Sequence, residues 1–207
     1  MTEADALHVI RETRSLVFST REFAALANIR ISFASQMLRR LAAKKRLTRV
    51  YQGLWADTQA AEYSASHIVP YLTRPHPAAI SLFSAMHFHG MIEQIPQVTY
   101  IVSTAMPRKI KTPVGDFSIH KISPDFFDGY ENNATGGACL MATPEKALVD
   151  CLYFSARKGK HFGFFSELTF PKNFSRKKAF AWVAKISYER LRTAVKNRLQ
   201  NILKGAL

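Results

Sequence analysis

Gln36 and Arg39 stand three residues apart in a stretch, Ser32 to about Lys45, whose apolar residues recur with helical spacing. A glutamine amide can pair with two groups on the major-groove edge of adenine, and an arginine guanidinium can do the same with guanine. At about 100° per residue, Ala34, Met37, Leu38 and Leu41 fall within one arc of such a helix. Ser32, Ser35, Gln36, Arg39, Arg40 and Ala43 fall on the opposite side. Ser32, Ser35, Gln36 and Arg39 are therefore the candidates for reading base edges in double-stranded DNA. Arg40, Lys44, Lys45 and Arg49 are placed to meet phosphates, and Gln52 joins this DNA-binding set. Phe33 either covers the helix start or meets a thymine methyl.

Other residue types capable of chemistry have the wrong spacing for it. His87 and His89 are two apart, so a helix does not bring them to one face as it would an i, i+4 pair, and no Glu lies between them. A structural role is expected for both. His120 and His161 lie in different elements and add no local ligand spacing. Glu145 and Asp150 would sit about 140° apart on a helix, which does not make an acid/base pair. Pro124-Asp125, with Glu145-Lys146 twenty residues on, carries part of the pattern by which restriction-type nucleases hold a metal. The residue that should separate Glu from Lys is missing. A metal-dependent DNA nuclease with a DNA-targeting head is thus the enzyme-class alternative, and the main expectation is a non-enzymatic chain with no metal and no cofactor. GxSxG, P-loop and GxGxxG patterns are absent from the sequence.

The net charge of +14 favours a polyanionic partner, and its placement is uneven. Residues 1–57 carry 10 basic and 5 acidic side chains, 58–156 carry 6 and 8, and 157–207 carry 13 and 2. The C-terminal excess defines a second basic patch, with Arg176, Lys177, Lys178, Arg190 and Arg192 as its candidates. It reads equally as the wet side of two amphipathic helices. Hydrophobic residues at 47% exclude a mainly disordered chain. Cys139 and Cys151 show no CxxC spacing, so both are expected to be buried apolar residues in a reducing compartment. The opening Met-Thr-Glu-Ala-Asp has neither the basic nor the apolar region of a signal peptide, so a cytoplasmic location is expected. Pro75 to Ile92 is the longest uncharged stretch, but its prolines and histidines argue for a core helix and against a membrane span.

The elements that must position these residues follow from periodicity and capping. A first helix is expected from Ala4 to Arg14, with Leu7 and Ile10 on its apolar side and Leu16 and Val17 continuing it. Ser19 and Glu22 form a capping box for a second, on which Phe23, Leu26 and Ala27 make the apolar face. Ser32 is expected to cap the third. Leu47 to Tyr51 and Leu54 to Ala56 then read as two short strands across a Gln52-Gly53 turn. This order is that of a winged helix-turn-helix, residues 1–57. Residues 58–156 read as a mixed core: a helix from Pro77 to His89, a central strand from Val98 to Ser103, and a hairpin from Arg108 to Ile122 turning at Thr112 to Gly115. Thr143-Pro144-Glu145 begins a helix running to about Ser155. A basic helical end, 157–207, has one apolar stripe at Ala179, Trp182, Val183 and Ile186 and another at Leu191, Val195, Leu199, Ile202 and Leu203. The fold class is α+β.

Four segments in this order resemble the AbiEi antitoxins of type IV toxin-antitoxin systems. They are Arg46 to Trp55, Ser81 to Gly90 with Gln94-Ile95-Pro96, Ala142 to Asp150, and Arg190-Leu191-Arg192. The resemblance implies a transcriptional repressor that binds inverted repeats upstream of its own operon, as two copies, through the winged helix. It also implies an antitoxin-type region, 58–207, that counters a nucleotidyltransferase-like toxin. The chain departs from the family in its strongly basic C-terminal third, which raises a second nucleic-acid contact.

Overall fold

The computed structural model describes residues 1–13, 15–132, 139–157, 160–165 and 167–205. Arg14, the expected end of the first helix, and the side chain of His161 lie outside the described residues.

Thr2 and Asp5 close a capping box over α1 (Glu3–Glu12), and Ser19 and Glu22 close the expected one over α2 (Thr20–Leu26). In the second, the Glu22 amide donates to Ser19 Oγ at 3.1 Å while the Ser19 amide donates to the Glu22 carboxylate at 2.7 Å. Between the two helices lies a strand the sequence analysis did not foresee, β1 (Val17–Ser19). The Thr13 hydroxyl bonds back to the Ile10 carbonyl and ends α1, so Val17 leaves the helical register and pairs with Ala56. With α3 (Ile31–Ala43), β2 (Thr48–Tyr51) and β3 (Leu54–Ala56), these elements form a three-stranded antiparallel sheet, ordered β1-β3-β2, beside three helices.

Two turns around α3 share one device. The amide of Ile29 reaches the Ala24 carbonyl and that of Asn28 the Ala25 carbonyl, while Asn28 adopts a φ of 50°. The same pattern closes α3: Arg46 reaches Leu41, Lys45 reaches Ala42, and Lys45 has a φ of 57°. Both are Schellman closures that satisfy the last helical carbonyls. The first explains two departures from expectation. Because Asn28 turns the chain so early, Arg30 is already extended and takes the N-cap position of α3, and Ser32 lies inside its first turn. The buried face of α2 is centred on Phe23, Ala24 and Ala27, so Leu26 projects away and is 61% exposed.

The small core here holds Ile10, Phe18, Phe23, Leu38, Leu41 and Trp55. The rest of the chain builds on a six-stranded sheet ordered β6-β7-β5-β4-β9-β8, comprising β4 (Ala78–Ile80), β5 (Val98–Ser103), β6 (Arg108–Thr112), β7 (Gly115–Lys121), β8 (Tyr130–Asn132) and β9 (Leu140–Ala142). As expected, β5 is interior and β6–β7 is a hairpin. The Pro77–His89 stretch is not one helix: its start is β4, and α5 (Leu82–Phe88) follows. Alanine favours helix by itself, but pairing on both sides with β5 and β9 makes Ala78–Ile80 a fully buried strand.

Across the sheet lies α6 (Pro144–Arg157), begun as expected by Thr143, whose hydroxyl accepts the Lys146 amide at 3.3 Å. Every residue from Pro144 to Ser155 is buried, because α5, α7 (Arg176–Ala184) and α8 (Glu189–Gly205) all pack around it. The expected stripes on α7 and α8 face inward, with Ala179, Val183, Ile186, Val195, Leu199 and Leu203 buried and Trp182, Leu191 and Ile202 half-buried. A short α4 (Val69–Thr73) joins the two parts. The Tyr71 hydroxyl donates to the Val17 carbonyl at 2.7 Å, and Arg74 pairs with Glu22 at 2.7 Å. No helix among the described residues is long and apolar enough to cross a membrane.

Candidate nucleic-acid interface

On α3 the buried arc is Ala34, Met37, Leu38 and Leu41, none more than 3% exposed. The opposite arc is open: Ser32, Phe33, Gln36, Arg39 and Arg40 are exposed and Ser35 is half-buried. No described side chain caps the N-terminus of this helix, and Arg30, which the sequence analysis passed over, stands exposed at that end. The signal for it was the misplaced cap: a helix that starts before Ser32 puts Arg30 at the boundary. First-turn amides and a nearby cation together suit a phosphate.

The phosphate candidates have distinct settings. Lys44 pairs with Glu3 of α1 at 2.8 Å, which fixes its ammonium over the α1–α3 contact. Lys45 is exposed and held in the left-handed conformation. Arg49 is exposed on β2, and Gln52 is exposed in the turn to β3, where Gly53 takes a φ of 70°. That turn is anchored to the start of α2. The Gly53 carbonyl accepts the Thr20 amide at 2.9 Å, and the Trp55 indole N–H donates to the Thr20 hydroxyl at 2.9 Å. The hairpin therefore keeps a fixed position relative to α2.

The second patch divides. Arg176, Lys177, Lys178 and Arg190 are exposed, whereas Arg192 is half-buried and donates to the Ile186 carbonyl at 2.9 Å, closing the end of α7. Arg192 thus has a structural bond to make, which the basic count could not reveal.

The residues considered for catalysis are dispersed. His87 Nδ1 lies 3.3 Å from the Ile92 carbonyl and His89 Nε2 2.7 Å from that of Ala142, which gives both the expected structural partners. Asp125 is exposed. Glu145, expected to serve the start of its own helix, is 3% exposed and accepts the Ser175 amide at 2.8 Å, so it anchors the start of α7. Among the described residues no group of three His, Cys, Asp or Glu is arranged to hold a metal. Both cysteines are buried as expected, and burial pushes their thiols up, Cys139 to about 12.

One polar cluster escaped the sequence analysis. Asp150 accepts from the Ser81 hydroxyl at 2.7 Å, the Tyr130 hydroxyl at 3.0 Å and the Lys146 ammonium at 2.5 Å. The Lys146 ammonium also lies 3.8 Å from the centre of the Phe126 ring and 5.1 Å from that of Tyr130. A serine, a lysine and an aspartate in contact resemble nucleophilic machinery, but all three are 0% exposed. The i, i+4 spacing of Lys146 and Asp150 was the available signal.

Compared with protein-family models and with curated proteins, the chain matches none of them.

Proposed function

We propose that this protein is a sequence-specific DNA-binding transcriptional repressor, with residues 1–57 acting as a winged helix-turn-helix and α3 as the reading helix. The observation that carries the reading is the two-sidedness of α3. Its apolar arc is consumed by the small core, while Gln36 and Arg39 are exposed one turn apart beside Arg40 and the helix start. A short Schellman turn from α2 and the anchored β2–β3 hairpin support the same docking geometry. A single such unit covers a small footprint, so two copies on an inverted repeat fit the reading. The resemblance to AbiEi antitoxins adds that the repressed operon is its own and that residues 58–207 counter a nucleotidyltransferase-like toxin, without catalysis by this chain.

The test is binding-site selection with the full chain, followed by footprinting of the DNA upstream of its own reading frame. Gln36→Ala and Arg39→Ala are each expected to cost about 1–3 kcal/mol on the selected site and to relax base preference. Unchanged specificity in both variants would remove α3 as the reader. Duplex cleavage that disappears with Asp125→Ala would replace the repressor with a nuclease. The toxin arm is read by rescue of cells expressing the neighbouring gene product.

A further inference from the structure

A cleft of about 1240 Å³ opens between the end of β7, the C-terminal turns of α6 and the start of α8. Its size is ample for a small organic ligand. The charge on its walls has one sign. Lys121, Arg157 and Arg190 line it, and none of the described lining residues is Asp or Glu. Four cations elsewhere, Lys44, Arg74, Lys146 and Lys185, each take a carboxylate. Among the described residues, no such ion pair involves Lys121, Arg157 or Arg190. Arg157 is instead held by the Tyr153 hydroxyl, to which it donates at 2.9 Å, with its guanidinium 5.4 Å from that ring.

The remainder of the wall is mostly apolar, and part of it is aromatic. His120, Phe154 and Phe162 meet edge to face, with ring centres 5.1 and 5.5 Å apart for the two contacts of His120. At the rim Met106 is 70% and Tyr188 64% exposed, an apolar pair beside three cations. The floor rings pack against one another and do not project as a row of stacking platforms, so the site suits one planar group better than a nucleic-acid strand.

We propose that this cleft binds a small organic anion carrying a flat aromatic ring. Arg157 and Arg190 hold the anionic group through their forked N–H donors, Lys121 adds charge, and Tyr188 and Met106 close over the ring. Nucleotides and aromatic carboxylates share this chemistry, and the site is independent of the DNA-reading role of α3.

Calorimetric titration of the full chain with AMP and GMP, and separately with salicylate and indole-3-acetate, distinguishes the two sources. Adenosine, which has the ring without the charge, is the control. At least one of the four anions is expected to bind with a Kd below about 1 mM and at least about tenfold more tightly than adenosine. Arg157→Gln with Arg190→Gln should weaken that binding about tenfold or more. These side chains are exposed, so the melting temperature should stay within a few degrees. Tyr188→Ala, also on the surface, should weaken it several-fold. Failure of all four anions, equal binding of adenosine, or full binding by the double variant overturns the proposal.

Discussion

The Lys146 ammonium and the Asp150 carboxylate lie 2.5 Å apart on one face of α6, and neither side chain reaches solvent. The pair joins four parts of the structure. Ser81 comes from the junction of β4 and α5, Tyr130 from β8, Phe126 from the turn before it, and Trp182 of α7 lies 5.9 Å from the ammonium. Asp150→Asn keeps an acceptor for both hydroxyls but leaves a buried ammonium without its counter-charge. It should cost about 3–5 kcal/mol in urea unfolding. Lys146→Met combined with Asp150→Leu removes both charges and should recover most of that loss, so a double variant as unstable as the single one would show that packing, not charge, is at stake.

The pair also marks the limit of what the sequence makes legible. Local signals are legible in it: the Ser19–Glu22 box, the stripe of α3, the Gly53 hairpin and the Thr143 start of α6 all depend on residues close in the chain. Features set by distant partners are not. The strand at Val17 exists because of Ala56, that at Ala78 because of Ser103 and the neighbouring β9, and the bond of Glu145 because of Ser175. The face of α3 was visible from spacing alone, whereas Arg30 at its start depended on where Asn28 ends α2.

Alkaline stability offers a test of burial in the larger core. Cys139 is 1% exposed, and burial raises its thiol from about 9 to about 12. The folded state therefore keeps its proton while the unfolded chain loses it, so the contribution is complete below pH 9 and is lost as pH rises towards 12. The slope is about 1.4 kcal/mol per pH unit in that window. Cys139→Ala should flatten the stability profile there by that amount, whatever its effect at neutral pH. Tyr130 and Cys151 are raised in the same direction and Lys146 is lowered, so only the difference between variant and parent isolates Cys139. Parallel profiles would contradict a buried, protonated thiol.

Lys45 occupies a position where glycine is the unstrained choice. Its φ of 57° closes α3, and a side chain there costs about 1 kcal/mol. Lys45→Gly should thus stabilise the protein by about that much in thermal unfolding. On DNA the same change should weaken cognate and random sequences alike and reduce the salt slope by about 0.9, as expected for one lost phosphate contact. A more stable variant with an unchanged slope would leave Lys45 without a DNA role.

Arg176, Lys177 and Lys178 fill the first turn of α7, where the helix dipole disfavours cations. Glu145 offsets part of that cost, since its carboxylate accepts from the Ser175 amide at the same end. Replacing all three with Gln leaves the buried Ala179, Val183 and Ile186 untouched, so the fold should survive and gain up to about 1 kcal/mol. Arg192→Ala is the contrasting variant: it opens the Ile186 carbonyl and should cost about 1–3 kcal/mol of stability. If the three cations meet DNA flanking the site read by α3, the triple variant binds more weakly with base preference intact. Its salt slope then falls by up to about three. Intact DNA binding with lost rescue would instead place the patch against the toxin. A triple variant that is more stable and unchanged in both assays would make these cations a solvated face, kept against the dipole for no contact that either assay reads.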